Sequence, residues 1–214
     1  MEDYRTVQND AEAEMIEKKS RFIGYCRPVK NQEEAISFIN EIRAMHRQAT
    51  HNVYAYVVRE DNIMRYSDDG EPAGTAGVPV LEVIKKEGLT DIAVVVTRYF
   101  GGVLLGAGGL VRAYGKSAKL GIDAAVRIEK VYCNLYLIRC DYSTYGKLEY
   151  AINTEGYILK DCVFENDVCM TVGVKPEMES AFLKTVADIS GGSAVIKELP
   201  GEYISRRRSE SHTP

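Results

Sequence analysis

Three segments of the sequence carry the residue types that can bind or transform a ligand. The first contains a histidine, the second contains three carboxylates, and the third combines arginine with a run of glycines. The segments are Ala49-Thr50-His51-Asn52, residues 67–77 and residues 98–114. These residue types support proton transfer, coordination of a divalent cation and binding of a phosphate group.

The second segment places Asp68, Asp69 and Glu71 close together on a stretch interrupted by glycine. Carboxylates of this kind can bind magnesium, and one of them could act as a general base together with His51. Adjacent acids also occur in ordinary exposed turns, and a single histidine is more often structural than catalytic. Since no serine or cysteine stands beside His51, the sequence does not define a nucleophile–base pair.

The third segment concentrates glycine immediately before a predicted helix. Its glycines are Gly101, Gly102, Gly106, Gly108 and Gly109. A glycine-rich turn that leads into a helix exposes unpaired N–H groups, which bind anions. Arg112, Lys116 and Lys119 follow at helical spacing on one face, and with Arg98 they predict a phosphate-binding surface. The alternative is that the glycines permit tight packing and the basic face is simply solvated.

A nucleotide-hydrolysing P-loop is excluded. Gly115-Lys116-Ser117 resembles the end of that motif, but the position that requires the preceding glycine is Leu110. In addition, the motif should open a helix, whereas here it falls inside one.

Length and composition indicate a globular chain with one large or two small domains. The chain has 214 residues, of which 45% are hydrophobic, and a formal net charge of −4. Neither side of residue 130 is basic overall, so tight binding of nucleic acid of any sequence is not implied. A local basic patch would still give weak, salt-sensitive binding.

The cysteines and the start of the chain predict a cytoplasmic protein without metal or cofactor. The five cysteines are odd in number and form no Cys-x-x-Cys motif, so we expect reduced thiols. Three histidines are too few and too scattered for a zinc site. The acidic start lacks a signal pattern, and no apolar run reaches the length of about 20 residues that spans a membrane.

The elements that must position the three segments are predicted from hydrophobic periodicity. Asn31 and Glu34 have the spacing of a capping box before an amphipathic helix that reaches Met45. We predict strands at 22–26, 53–58 and 92–96, a short helix over 80–86 and a helix over 109–124. Residues 60–79 are predicted to form one long surface loop.

The pattern after residue 130 predicts the order βαββαβ of a ferredoxin-like unit. We predict strands over 131–140, 157–164, 168–174 and 194–204, and helices over 143–154 and from Pro176 to the glycines at 191–192. Arg206 is predicted to begin a solvated polar tail.

The same segments closely resemble the YigZ/IMPACT family, in its bacterial form. The matching residues are Ser20-Arg21-Phe22-Ile23, Ala49-Thr50-His51-Asn52, Asp68-Asp69-Gly70-Glu71-Pro72, Gly74-Thr75-Ala76-Gly77, Arg98-Tyr99-Phe100-Gly101-Gly102, Leu105-Gly106 and Gly108-Gly109-Leu110-Val111-Arg112-Ala113-Tyr114. The resemblance implies an α+β fold with two domains. Residues 1–130 would have the fold of ribosomal protein S5 domain 2, residues 131–205 would be ferredoxin-like, and 206–214 would be the polar tail.

The resemblance also implies a role in translation or its regulation. We expect a non-enzymatic factor whose partner is RNA or the ribosome. Its contacts would be Arg98, Gly101, Gly102, Gly106, Gly108, Gly109, Arg112 and Lys116. One alternative is an enzyme that acts on a phosphate-bearing small molecule through His51, Asp68, Asp69 and Glu71. Another is a protein-interaction module that docks through the acidic segment.

Overall fold

The computed structural model describes residues 2–207, and the chain divides into two compact units. The N-terminal unit comprises Tyr4–Glu129, and the C-terminal unit comprises Lys130–Arg206 together with the residues before Tyr4. Both units combine helices with a sheet, which confirms the prediction of a two-domain α+β protein.

The N-terminal unit is built on a five-stranded sheet. Its elements are β1 (Tyr4–Val7), β2 (Ala11–Glu17), β3 (Ser20–Pro28), α1 (Gln32–Met45), β4 (His51–Val58), β5 (Ile63–Ser67), α2 (Gly77–Lys86), β6 (Ile92–Tyr99) and α3 (Ala107–Ala124). The sheet order is β2-β3-β6-β4-β5, and each neighbouring pair is antiparallel. The apolar side chains of α1 pack on one face of the sheet, and those of α2 and α3 pack on the other.

Strand β6 lies in the middle of this sheet and is buried on both faces. Residues Ile92 to Val96 are buried, as predicted from an apolar run without alternation. The strand continues to Tyr99, so Arg98 belongs to β6 and is not part of the turn that follows.

Helix α1 confirms the predicted cap by Asn31, whereas the reciprocal bond of the capping box is displaced by one residue to Lys30. The side chain of Asn31 accepts a hydrogen bond from the Glu34 N–H at 2.9 Å, and the Glu34 carboxylate accepts the Lys30 N–H at 2.8 Å. The apolar stripe then buries Phe38 and Ile39 against the sheet, whereas Met45 in the last turn is exposed.

The prediction of one long loop over residues 60–79 was wrong. A 3₁₀ turn, strand β5 and the first residues of α2 all fall inside it. Strand β5 lies at the sheet edge with mostly exposed side chains, so its pairing with β4 rests on backbone hydrogen bonds and leaves no apolar alternation to detect. The edge strand β2 was also missed. Its exposure alternates, but its inward side chains are only partly buried and three of its seven residues are glutamates, which are uncommon in strands.

The C-terminal unit has the predicted βαββαβ order. Its elements are β7 (Arg127–Cys140), α4 (Tyr142–Glu155), β8 (Ile158–Phe164), β9 (Val168–Val174), α5 (Glu179–Ser190) and β10 (Val195–Arg207). Strands β7, β9 and β8 are neighbours in that order, and β10 also pairs with β7. Pro176 opens a 3₁₀ turn, Pro176–Met178, that leads into α5 and does not itself start the helix.

The end of the chain differs slightly from the prediction. Strand β10 extends to Arg207, so Arg206 is part of a strand, and the rest of the predicted tail lies outside the described residues. The five cysteines carry free thiols, of which Cys26, Cys133 and Cys140 are buried. Over residues 2–207, no helix has both the length and the apolar character needed to cross a bilayer.

Candidate functional site

The structure brings the three segments together in the N-terminal unit, where β4 begins, β6 ends and α3 begins. They surround a pocket of about 410 Å³, which we call the His51 pocket. Its lining residues are Thr50, His51, Glu71, Pro72, Arg98, Phe100, Leu104, Leu105, Gly106, Ala107 and Leu110. All three segments therefore contribute to one concave site, which is the usual shape of a ligand-binding site.

A buried ion pair between Glu71 and Arg98 forms the polar wall of this pocket. An Arg98 guanidinium N–H donates to Glu71 Oε1 at 2.5 Å, and the two side chains are 6% and 4% exposed. The hydroxyl of Tyr114 donates to the same oxygen at 2.7 Å. Burial, together with the bond to Glu71, raises the pKa of the Tyr114 hydroxyl far above its usual range, so this group remains a donor.

The Arg98 guanidinium also contacts the neighbouring strand and two aromatic rings. One N–H lies 3.4 Å from Ser20 Oγ, which in turn accepts the Gly101 N–H at 3.2 Å. The guanidinium lies 5.4 Å from the ring centres of Phe22 and Phe100, within the range of a cation–π contact. The Nε atom of Arg98 is buried and has no hydrogen-bond partner among the described residues.

His51 stands at the start of β4 with its ring orientation set by the acidic segment. Its Nδ1 lies 2.8 Å from the Asp69 carbonyl oxygen. Because a carbonyl oxygen can only accept a hydrogen bond, Nδ1 carries the hydrogen. The other nitrogen, Nε2, lies 3.7 Å from Glu71 Oε1, which is too long for a hydrogen bond. His51 therefore presents Nε2 toward the buried carboxylate.

The other two acids of the segment serve separate structural purposes. Asp69 accepts the Asn52 N–H at 2.6 Å and an Arg43 guanidinium N–H at 2.8 Å, which ties this segment to β4 and α1. Asp68 accepts backbone N–H groups from the turn before α2 and from the start of that helix. The donors are Gly74 at 2.9 Å, Ala76 at 3.0 Å and Gly77 at 2.8 Å.

These contacts perturb the pKa of the Asp68 carboxyl. Partial burial raises the pKa, but the three backbone donors together outweigh burial and hold it below its usual value. Because Asp68, Asp69 and Glu71 each face a different set of donors, they do not form a shared ligand set. Accordingly, within residues 2–207 no group of three or more His, Cys, Asp or Glu side chains could hold a metal ion.

The glycines of the third segment have individual roles. Gly101 packs closely against the turn between β2 and β3. A Cβ on this residue would lie 2.0 Å from the Lys19 carbonyl oxygen, so the packing requires glycine. Gly106 precedes α3 with a φ of +71°, and no side chain caps that helix. The first helical hydrogen bond runs from the Leu110 N–H to the Gly106 carbonyl at 2.9 Å. The N–H groups that precede Leu110 in the helix therefore have no intrahelical acceptor.

The predicted phosphate-binding residues fall into two groups. Arg98 and Gly106 line the pocket, whereas Arg112 and Lys116 lie exposed on α3 and do not line it. The other glycines of that prediction, Gly101, Gly102, Gly108 and Gly109, lie outside the pocket lining. Lys119, one turn beyond Lys116, forms ion pairs with Glu87 at 3.3 Å and with Asp123 at 2.5 Å.

Sequence reasoning did not assign roles to Ser20 and Tyr114, although both stand in the quoted motifs. Tyr114 belongs to the apolar face of α3 between the buried Ala113 and Ser117. A tyrosine on a buried helix face needs a partner for its hydroxyl, and this requirement was the available signal. The sequence alone does not identify its partner, Glu71, whereas the three-dimensional structure does.

Comparisons with known proteins match both units. Residues 18–122 match the family model of the Impact N-terminal domain, and residues 138–193 match a domain of unknown function, DUF1949. The IMPACT family member YvyE of Bacillus subtilis (strain 168) is 41% identical over 204 residues, which are 95% of this chain and 94% of that protein. The IMPACT family member YigZ of Escherichia coli (strain K12) is 34% identical over 82% of this chain and 88% of its own length.

A solved structure matches the chain along nearly its whole length. It is described as the crystal structure of a hypothetical protein, with a TM-score of 0.60 and 30% sequence identity. The match covers 94% of this chain and 98% of that one. The match therefore includes residues of both units.

Proposed function

This chain belongs to the IMPACT family, and on that premise we propose that it is a non-enzymatic factor in translation or its regulation. It binds RNA, free or within the ribosome, through the exposed face of α3 that carries Arg112 and Lys116. The proposal includes a cytoplasmic location, where translation takes place.

The observation that carries the proposal is the difference between neighbouring cations on α3. Arg112 and Lys116 are exposed, and no carboxylate of the described residues is within ion-pair distance of either. Lys119 is neutralised by two acids. Since unpaired cations on one helix face gain most from a phosphate backbone, Arg112 and Lys116 are the groups that RNA would contact.

A structural role fits the acidic segment better than a catalytic one. Asp68 and Asp69 are occupied by backbone and guanidinium donors, and Glu71 is buried against Arg98. A general base must accept a proton from its substrate, and a carboxylate engaged in this way is a poor acceptor. These contacts support a role of the acidic segment in stabilising the fold beside the RNA-binding face.

Co-sedimentation with ribosomes and with free RNA across a salt series tests the proposal. The variant is Arg112→Ala/Lys116→Ala, and the matched control is Lys85→Ala/Lys119→Ala, which also removes two positive charges from the same unit. Both lysines of the control are already paired with acids, Lys85 with Glu82 at 2.7 Å. We expect the first variant to weaken binding and to reduce the salt slope by about 1 per lost phosphate contact, and the control to stay close to the parent.

Two results would contradict this proposal. If both double variants weakened binding equally, net charge and not this surface would account for binding. If the parent failed to bind ribosomes and RNA at low salt, an RNA-binding role would be wrong.

A further inference from the structure

The turn between β2 and β3 carries two lysines in a backbone conformation that lysine rarely adopts. The last paired residues of the two strands are Glu17 and Ser20, so Lys18 and Lys19 form a two-residue hairpin loop. Both have positive φ angles, 45° for Lys18 and 66° for Lys19. Loops with positive φ at both positions strongly favour Asn-Gly, because larger side chains crowd the backbone there. Strained positions of this kind are common where a side chain has a function.

Both lysines of this turn are available to a ligand. They are exposed, and no carboxylate of the described part of the chain lies within ion-pair distance of either. Arg21, which follows on β3, is by contrast paired with Glu14 at 2.7 Å. Lys18 and Lys19 therefore share the property that distinguishes the two proposed RNA contacts of α3.

Helix α3 and strand β3 run in the same direction, which places the turn beside the start of the helix. The ring centres of Phe22 and Tyr114 are 5.3 Å apart. Further along both elements, the Cys26 thiol donates to the Gly121 carbonyl at 3.3 Å. Because residue numbers increase together along the two elements, the turn that precedes β3 lies near the N-terminal part of α3.

Arg112 and the loop before α3 lie at this same end of the N-terminal unit. The Arg112 Nη1 atom is 3.6 Å from the position that a Cβ on Gly108 would occupy, so its side chain extends back toward the start of the helix. In the loop, the Gly101 N–H donates to Ser20 Oγ at 3.2 Å, which joins the loop to the end of the turn. The unpaired cations of the turn and of α3 therefore belong to one end of this unit.

We propose that Lys18 and Lys19 form a second phosphate-contacting element of the RNA-binding surface, beside Arg112 and Lys116. This inference rests on the proposed function and adds a site to it. An RNA backbone repeats a negative charge at every nucleotide, so cations that stand apart on one surface can each contact a phosphate. The tight hairpin loop holds the two lysines in place, and less conformational freedom is lost on binding than from a flexible loop.

Replacing the loop with Asn-Gly separates binding from stability. In Lys18→Asn/Lys19→Gly the residues suit positive φ angles, so we expect the Tm of the full chain to rise by about 2–4 °C. The same variant loses two phosphate contacts. We expect its affinity for poly(U) RNA and for ribosomes to fall about tenfold, and its salt slope to fall by about 1–2. A turn with only a structural role would gain stability without losing affinity.

Two further variants separate charge from backbone conformation. Lys18→Arg/Lys19→Arg keeps both charges and should bind at least as tightly as the parent. Lys18→Gln/Lys19→Gln removes the charges without relieving the positive φ angles, and should bind as weakly as the Asn-Gly variant. Binding is measured by fluorescence anisotropy with labelled poly(U) RNA and by co-sedimentation with ribosomes, from about 50 to about 200 mM salt.

The outcomes distinguish this inference from the proposed function. Undiminished binding in both uncharged variants, together with weaker binding in Arg112→Ala/Lys116→Ala, would refute the contacts of the turn and leave the proposed function intact. Loss of binding in the arginine variant would also refute them, because charge would then not be what binds. If the parent bound neither poly(U) RNA nor ribosomes at low salt, the proposed function would be wrong and this inference with it.

Discussion

Glu71 holds together the buried polar groups of the N-terminal unit. Its Oε1 accepts from Arg98 and Tyr114, both of which are almost completely removed from water. Taking a guanidinium out of water is costly unless an opposite charge compensates for it. The Glu71 carboxylate therefore contributes to the stability of this unit by compensating for the buried charge of Arg98.

Replacing Glu71 with glutamine tests this dependence. The Glu71→Gln side chain keeps its shape and an acceptor oxygen but leaves the Arg98 charge buried without compensation. We expect the free energy of unfolding to fall by about 3–5 kcal/mol, measured by urea denaturation at pH 7. The Glu71→Gln/Arg98→Met variant, which removes both charges, should regain much of this loss. A change below about 0.5 kcal/mol in Glu71→Gln would show that the ion pair is not important for stability.

At this scale the sequence could single out the segments that contribute to the pocket but not the contacts of their side chains. Asp68, Asp69 and Glu71 are close in sequence, and that proximity suggested a shared role. On an irregular segment successive side chains point in different directions, so the three carboxylates reach the start of α2, Arg43 and Arg98. No periodicity describes such a segment, and the partners lie far away along the chain.

Among the elements, α2 depends on a residue outside its own ends. Its N-cap position is Ala76, whose side chain cannot accept a hydrogen bond, and Asp68 supplies the missing acceptor from the preceding turn. Helix ends without an acceptor for their first N–H groups are destabilised. The position of α2 beside β4 and β5 is thus coupled to the acidic segment.

Substitution of Asp68 should therefore destabilise the N-terminal unit in a pH-dependent way. At pH 7 we expect Asp68→Ala to lower the free energy of unfolding by about 1–2 kcal/mol, and Asp68→Asn, which retains one acceptor oxygen, to lower it less. The folded pKa of the carboxyl lies below the value of 3.8 in the unfolded chain. The contribution is consequently complete above that value and is lost as the pH falls through the folded pKa.

Denaturation curves of the parent and Asp68→Ala at pH 7 and near pH 3 provide the measurement. The difference between the two proteins should shrink at the lower pH. A difference that stays constant with pH would mean that the carboxylate charge contributes nothing.

How well an element could be predicted depended on how much of it is buried. Helix α1 has both a cap and a buried stripe, and the central strand β6 begins with an unbroken apolar run from Ile92 to Val96, so both are visible in the sequence. Strand β5 exposes most of its side chains, and its pairing with β4 comes from the backbone. Sequence patterns record side-chain burial, and an edge strand with little burial leaves no such record.

For the whole molecule, each unit has an apolar core made from its own residues. The cluster around Phe182 contains residues from β7 to β10 and the two helices between them, and the two clusters of the N-terminal unit contain none of these. The order of elements beyond residue 130 made a second unit predictable, since β7, β8, β9 and β10 belong to one sheet. The distribution of charge over the surface could not be predicted in the same way as the core. The chain has a net charge of −4, and only the structure shows which cations are neutralised by ion pairs.

Phe182→Ala examines whether the C-terminal core is an energetic unit. Phe182 is buried, with ring centres 5.4 Å from Tyr136 and 4.8 Å from Tyr157, so truncation leaves a large cavity. We expect a loss of about 3–5 kcal/mol in the stability of that unit. Native-state hydrogen exchange should show lower protection of the β9 amides and unchanged protection of the β6 amides. Tyr150→Ala, at an exposed position on α4, is the control and should change protection by less than about 0.5 kcal/mol.

If the β6 amides lost protection as much as those of β9, the two units would unfold together. Retained protection of β6 would mean that the face of α3 can be assayed for RNA binding while the C-terminal core is destabilised, which separates the contributions of the two units.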